Sequence, residues 1–126
     1  MLCGVVGAAQ ATPSALDFVG FTNLTRFQAS AEGAPGELIL ISPELPIRQG
    51  WTEAIPSWNI RSNLTITVEL RARTSERWTR YYSLGNWSLA TNLFSRTSEG
   101  GQSDADGEVR TDTVVLRNPA THLQLR

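Results

Sequence analysis

Lysine is missing from this chain: all eleven of its basic residues are arginine. Cysteine and histidine occur once each, as Cys3 and His122. A lone cysteine excludes an intramolecular disulfide, and so few Cys and His residues exclude a zinc cluster built from them. Neither sign of charge dominates, and the net charge is −1. A near-neutral surface lacks the basic stripe of a nucleic-acid binder and the polybasic patch of a membrane-surface protein. No apolar run approaches the roughly 20 residues of a membrane span. Neither a nucleic-acid partner nor a membrane span is therefore expected.

Residues 1–12 are mostly small and apolar and carry no charge. The stretch contains Ala9-Gln10-Ala11, which fits the small-x-small rule for signal cleavage, but it has no basic residue in front. It reads as a signal-peptide remnant, with a disordered extension as the alternative. The signal reading puts the protein outside the cell or in its envelope.

What is present is β-pattern. Leu64, Ile66, Val68, Leu70 and Ala72 alternate without a break with Thr65, Thr67, Glu69, Arg71 and Arg73. That alternation is the mark of a half-buried strand. A short polar break, Thr74-Ser75-Glu76, leads to the aromatic run Trp78–Leu84 and a Gly85-Asn86 turn signal. The two runs predict an antiparallel hairpin. Further short β-like runs are Phe18–Phe27, Glu37–Ile41, Leu93–Thr97, Val109–Arg117 and His122–Arg126. Turn signals separate them, among them Ala34-Pro35-Gly36, Arg48-Gln49-Gly50, Asp106-Gly107 and Asn118-Pro119. Many short strands with frequent turns predict an all-β fold, an antiparallel β-sandwich with the jelly roll as a variant. Residues 16–126 form one such domain. His122–Arg126 alternates like a strand in mid-course, which suggests a fragment of a larger protein.

Recognisable catalytic chemistry is absent. A Cys/His pair would need Cys3, which lies in the presumed leader, and no Gly-x-Ser-x-Gly elbow is present. His122, beside the last strand run, reads as a surface or edge residue. Asp104, Asp106 and Asp112 offer hard oxygens for Ca2+, but they fill only part of a calcium-loop pattern. Asp-Gly is also a common hairpin turn, and that plainer reading is preferred. Otherwise no cofactor is expected. Trp51, Trp58, Trp78 and Trp87 have two readings: sugar-stacking platforms of a cell-wall glycan-binding module if exposed, or core plugs if buried. Core packing is the preferred one.

The blocks Ile55-Pro56-Ser57-Trp58-Asn59, Val68–Arg73, Trp78–Ser88, Arg96-Thr97-Ser98, Gly101–Gly107 and Val109–Val114 form a series. In order and spacing it resembles the N-terminal non-catalytic region of secreted bacterial cysteine peptidases of the bacteriocin-processing-like, papain-like group. The resemblance covers residues 18–126. It implies an accessory β-domain that docks on or positions a downstream catalytic domain carrying the Cys, His and Asp or Asn. No catalytic residue carries over, because the chain stops before that domain would begin. The alternative is a stand-alone glycan-binding module.

Overall fold

The computed structural model describes residues 17–59, 63–75, 77–89, 97 and 99–126. The expected leader, with Cys3, and most of the expected Leu93–Thr97 strand lie outside these residues. Among the described residues there are strands and no helix, so the fold is all-β as expected. The strands are β1 (Gln28–Ser30), β2 (Ile39–Ile41), β3 (Leu45–Ala54), β4 (Ile66–Arg73), β5 (Tyr82–Trp87), β6 (Gly107–Arg110) and β7 (Thr113–Leu125). β1 and β2 form a two-stranded antiparallel sheet. The five-stranded antiparallel sheet runs β3-β7-β4-β5, with β6 also paired to β7. Two antiparallel sheets are consistent with a sandwich; the strand order does not establish a jelly roll.

Alternation in β4 does what the sequence pattern predicts. Leu70 and Ala72 are buried, while Arg71 and Arg73 point the other way. Leu64, expected to begin this strand, precedes it and is 68% exposed. The β4–β5 hairpin forms, but Gly85-Asn86 lies within β5 and not in a turn. Val68 pairs with Gly85 and Glu69 with Ser83, so Leu84 is the extra residue of a β-bulge. Gly85 has φ 126° there, a conformation glycine adopts freely.

β7 is the hub. Its first part, Thr113–Leu116, pairs with β6, and its last part, His122–Leu125, pairs with β4. Its other edge pairs with β3. Asn118-Pro119, expected as a turn, lies inside this one strand. Pro119 falls in the interval where β7 changes partners and where β3 shifts register, so no ladder bond is asked of its missing N–H. Arg48-Gln49-Gly50 likewise runs within β3. The β3 backbone passes so near Pro119 that a Cβ on Gly50 would sit 3.2 Å from the proline Cβ.

Two other expectations change. Val109–Arg117 is a tight hairpin and not a single strand. Arg110 faces Thr113 across a two-residue loop, Thr111-Asp112, with φ of 40° and 65°. Positive φ at both loop residues is the geometry that follows sheet twist. Phe18–Phe27 is irregular. Asn23 Oδ1 accepts from Thr25 N at 3.1 Å and from Thr25 Oγ1 at 2.6 Å, a side-chain turn that interrupts extended pairing.

The core is small: Leu70, Ala72, Tyr82, Leu84, Val109, Val114, Leu116 and Ala120, with Trp51, Trp58, Val68 and Leu125 packed against it. It draws on one face of β4 to β7. The opposite face of β4 and the end of β7 is left to carry polar chemistry.

Candidate functional site

That opposite face carries a ladder of arginines and rings. The β4 pleat projects Glu69, Arg71 and Arg73 away from the core. Gln124 lies directly across from Arg71 in β7, and Trp78 is bridged to Arg73. The Arg71 guanidinium lies over the Trp78 ring at 4.6 Å and over the Tyr81 ring at 4.8 Å. Arg126 stacks on Tyr81 at 4.2 Å, and Arg73 sits 6.0 Å from the Trp78 centroid. Each such contact is worth about 0.5–2 kcal/mol, more as water is excluded.

Hydrogen bonds fix the ladder. Arg71 donates from Nε and Nη2 to Gln124 Oε1 at 2.9 and 2.6 Å. Gln124 in turn donates from Nε2 to the Ser42 carbonyl at 2.8 Å. Ser42 Oγ accepts from Leu125 N at 2.9 Å, tying the segment after β2 to β7. Arg73 pairs with Glu44 at 3.5 Å, and Arg126 pairs with Glu69. Burial pushes the Tyr81 hydroxyl above its ordinary range, against the opposing charges of Arg71 and Arg126.

A second polar centre surrounds Asp104. Asp104 N donates to the Gly107 carbonyl at 2.9 Å, closing the turn expected at Asp106-Gly107. Its Oδ1 accepts from Asp106 N at 2.8 Å, Gly107 N at 3.0 Å and Tyr82 Oη at 2.7 Å. Arg80 Nε donates to its Oδ2 at 2.6 Å. Burial pushes this carboxyl up, but the bonds from Tyr82, Arg80 and the two backbone N–H groups outweigh it and hold the pKa at about 2. Burial, then the bond to Asp104 and its charge, raise the Tyr82 hydroxyl well above its ordinary value. Asp106 forms a two-pronged pair with Arg77 at 2.7 and 2.8 Å. Arg77 and Asp106 line a cleft of ≈ 300 Å³ with Thr74, Ser75, Asn118 and Pro119.

The residues singled out by sequence are not gathered. Asp104 and Asp106 share one turn, but their carboxylates serve Tyr82, Arg80 and Arg77, and Asp112 belongs to the β6–β7 loop. Among the described residues no three His, Cys, Asp or Glu side chains stand together as metal ligands. All four tryptophans are half-buried. Trp51 and Trp58 pack against the core, Trp78 lies under Arg71, and Trp87 ends β5 opposite Ile66. His122 sits in β7 with Nδ1 3.0 Å from Thr121 Oγ1. No helix of the described residues is long and apolar enough to cross a membrane.

Sequence reasoning did not single out Arg71, Tyr81, Gln124 or Arg126. The signal within reach was the pleat of β4, which sets Arg71 and Arg73 on one face beside an aromatic run. No characterised protein and no solved structure matches the chain. From just before β2 through the whole five-stranded sheet and its arginine ladder, residues 38–126 match the family model of the Peptidase C39 N-terminal domain, and the chain belongs to that family.

Proposed function

We propose that this chain is a non-catalytic accessory β-domain of a secreted or cell-envelope cysteine peptidase, and that it docks on or positions a linked catalytic domain. The observation that carries the reading is the family match over residues 38–126. It agrees with the expected kinship to the N-terminal region of a peptidase. The polar centres support a binding rather than a catalytic role. The Asp104 carboxylate is saturated by donors and has a depressed pKa, which suits a structural anchor and not a proton-transfer group. His122 faces a threonine hydroxyl, with no thiol partner among the described residues. Glycan stacking has less support, because Trp51, Trp58 and Trp78 are engaged by the core or by Arg71.

The test uses the purified chain and a peptidase that carries this domain naturally. The chain alone should not cleave unstructured peptides. Deleting the domain from the peptidase should lower its peptide turnover or raise its KM. Thiol-sensitive hydrolysis by the chain alone, or a peptidase indifferent to the deletion, would overturn the reading.

A further inference from the structure

We propose that the run Leu64–Val68, which leads into β4, is a self-association edge: two copies of this chain pair antiparallel along it, about a two-fold axis at Ile66. The inference rests on strand register and does not depend on the peptidase reading.

Asn86 donates its N–H to the Thr97 carbonyl at 3.0 Å, and its own carbonyl accepts from Thr97 N at 3.2 Å. Both groups thus point away from β4, so Asn86 and Thr67, which face each other across the hairpin, are a non-hydrogen-bonded pair. The Thr67 N–H and C=O therefore point to the β7 side. Glu69, next on that side, exchanges backbone bonds with Arg126 at 2.8 Å in both directions. Pairing with β7 stops there, and no group among the described residues meets the Thr67 N–H and C=O. Thr65 and Thr67 are exposed, as are Leu64 and Leu89 at the same end of the hairpin.

This edge is unguarded where the others are blunted. β3 carries Pro46 and register shifts, and the β5 edge is covered by Gln102 and Thr97. Leu64–Val68 has no charge, proline or glycine, and Thr65, Ile66, Thr67 and Val68 are all β-branched. The run itself fits as its own partner. A strand entering beside β4 needs apolar residues opposite Ile66 and Val68, on the core-facing side, and a polar one opposite Thr67. A second copy run antiparallel puts Leu64 opposite Val68, Thr65 opposite Thr67 and Ile66 opposite Ile66. Thr65 and Thr67 share parity, so their pairs are the hydrogen-bonded ones. The bend at Asn63-Leu64 turns the second chain out of line before it meets Arg126. No like charges face each other across the paired run. The interface is small, so the association is weak and reversible.

The test is sedimentation equilibrium of the 126-residue chain. Its mass should rise with concentration from 13.8 kDa toward twice that value. Thr67→Pro removes an N–H that serves no bond within the chain, and should weaken the association at least ~tenfold. Crosslinking in a Cys3→Ser background reads the register and covers the case in which Thr67→Pro fails to fold. Ile66→Cys should give a disulfide-linked dimer on mild oxidation, because a non-hydrogen-bonded pair sets facing Cα atoms about 4.5 Å apart. Thr67→Cys, which faces Thr65 of the other copy, should not. A chain that stays monomeric up to ~1 mM leaves this edge to a strand of another protein or to no partner, and overturns the proposal. So does a dimer that a folded Thr67→Pro variant leaves intact, or crosslinking of Thr67→Cys as efficient as that of Ile66→Cys.

Discussion

Gln102 holds Ser83 by both of its backbone groups: Ser83 N donates to Gln102 Oε1 at 3.0 Å, and Gln102 Nε2 donates to the Ser83 carbonyl at 2.6 Å. A primary amide here does the work of a neighbouring strand. It occupies part of the β5 edge, which would otherwise offer an unpaired N–H and C=O to another chain. Gln102→Glu keeps the acceptor but loses the donor, and sets a carboxylate against a carbonyl. It should cost about 1–3 kcal/mol in urea unfolding. Gln102→Ala should unfold at a similarly lower midpoint and aggregate faster. A stability unchanged within 0.5 kcal/mol, the usual scatter of surface substitutions, would show that the clamp contributes little.

Asp104 predicts an acid transition. Its carboxyl ordinarily titrates at 3.8 and is held at about 2 in the fold. A depressed folded value means the stabilisation is fully present above the unfolded pKa. It is lost as pH falls from 3.8 toward 2. The melting temperature should drop across that window, and Asp104→Asn should flatten the drop while lowering stability near neutrality. A parallel pH profile for the variant would remove Asp104 as the cause.

The two tyrosines give the alkaline counterpart. Burial leads the rise in pKa of both Tyr81 and Tyr82. The folded state therefore favours the neutral phenols, and this stabilisation fades once pH exceeds the unfolded value of about 10. Tyrosinate absorbance should stay low at pH 10 while the chain is folded and rise together with unfolding. Ionisation of either tyrosine at its ordinary pKa in the folded chain would contradict the burial seen here.

The Thr111-Asp112 loop invites a stabilising change. Both residues have positive φ, and threonine is branched at Cβ. Asn-Gly is the preferred pair for such a loop. Replacing both, Thr111→Asn with Asp112→Gly, should stabilise the domain by about 1 kcal/mol. A loss of stability would mean that the Asp112 side chain outweighs the backbone strain.

Gly107 is required for a different reason. A Cβ at this position would lie 2.5 Å from the Val115 carbonyl oxygen and 3.2 Å from Leu116. Gly107→Ala must push β6 away from β7 and should cost about 1–3 kcal/mol. Gly100→Ala, where a Cβ meets nothing within 4 Å, is the matched control and should be close to neutral.

How much of this was legible in the sequence depended on how local the determinant was. β4 was legible because its pleat is written in consecutive residues, from Ile66 to Arg73. The turn closed by Asp104 and Gly107 was legible for the same reason. β7 was not, since Pro119 reads as a breaker unless one knows that, along β7, pairing with β6 stops at Leu116 and pairing with β4 starts at His122. Thr111-Asp112 carried no Asn or Gly to announce a two-residue loop. The arginine ladder was the least legible: Arg71 and Gln124 are separated by 53 positions, and only the β4–β7 register brings them together.

The place of β7 in the sheet also sets the order of assembly. It follows the other six described strands in the chain, and it is the strand on which β3, β4 and β6 all close. Among the described residues, the strand pairings that do not need β7 are the β4–β5 hairpin and the small β1–β2 sheet. The rest must wait for distant pairings, whose loop-closure cost slows folding. Until residue 125 emerges, the chain holds its apolar faces open, so premature release or truncation within β7 would abolish the five-stranded sheet as a whole and not trim one edge of it.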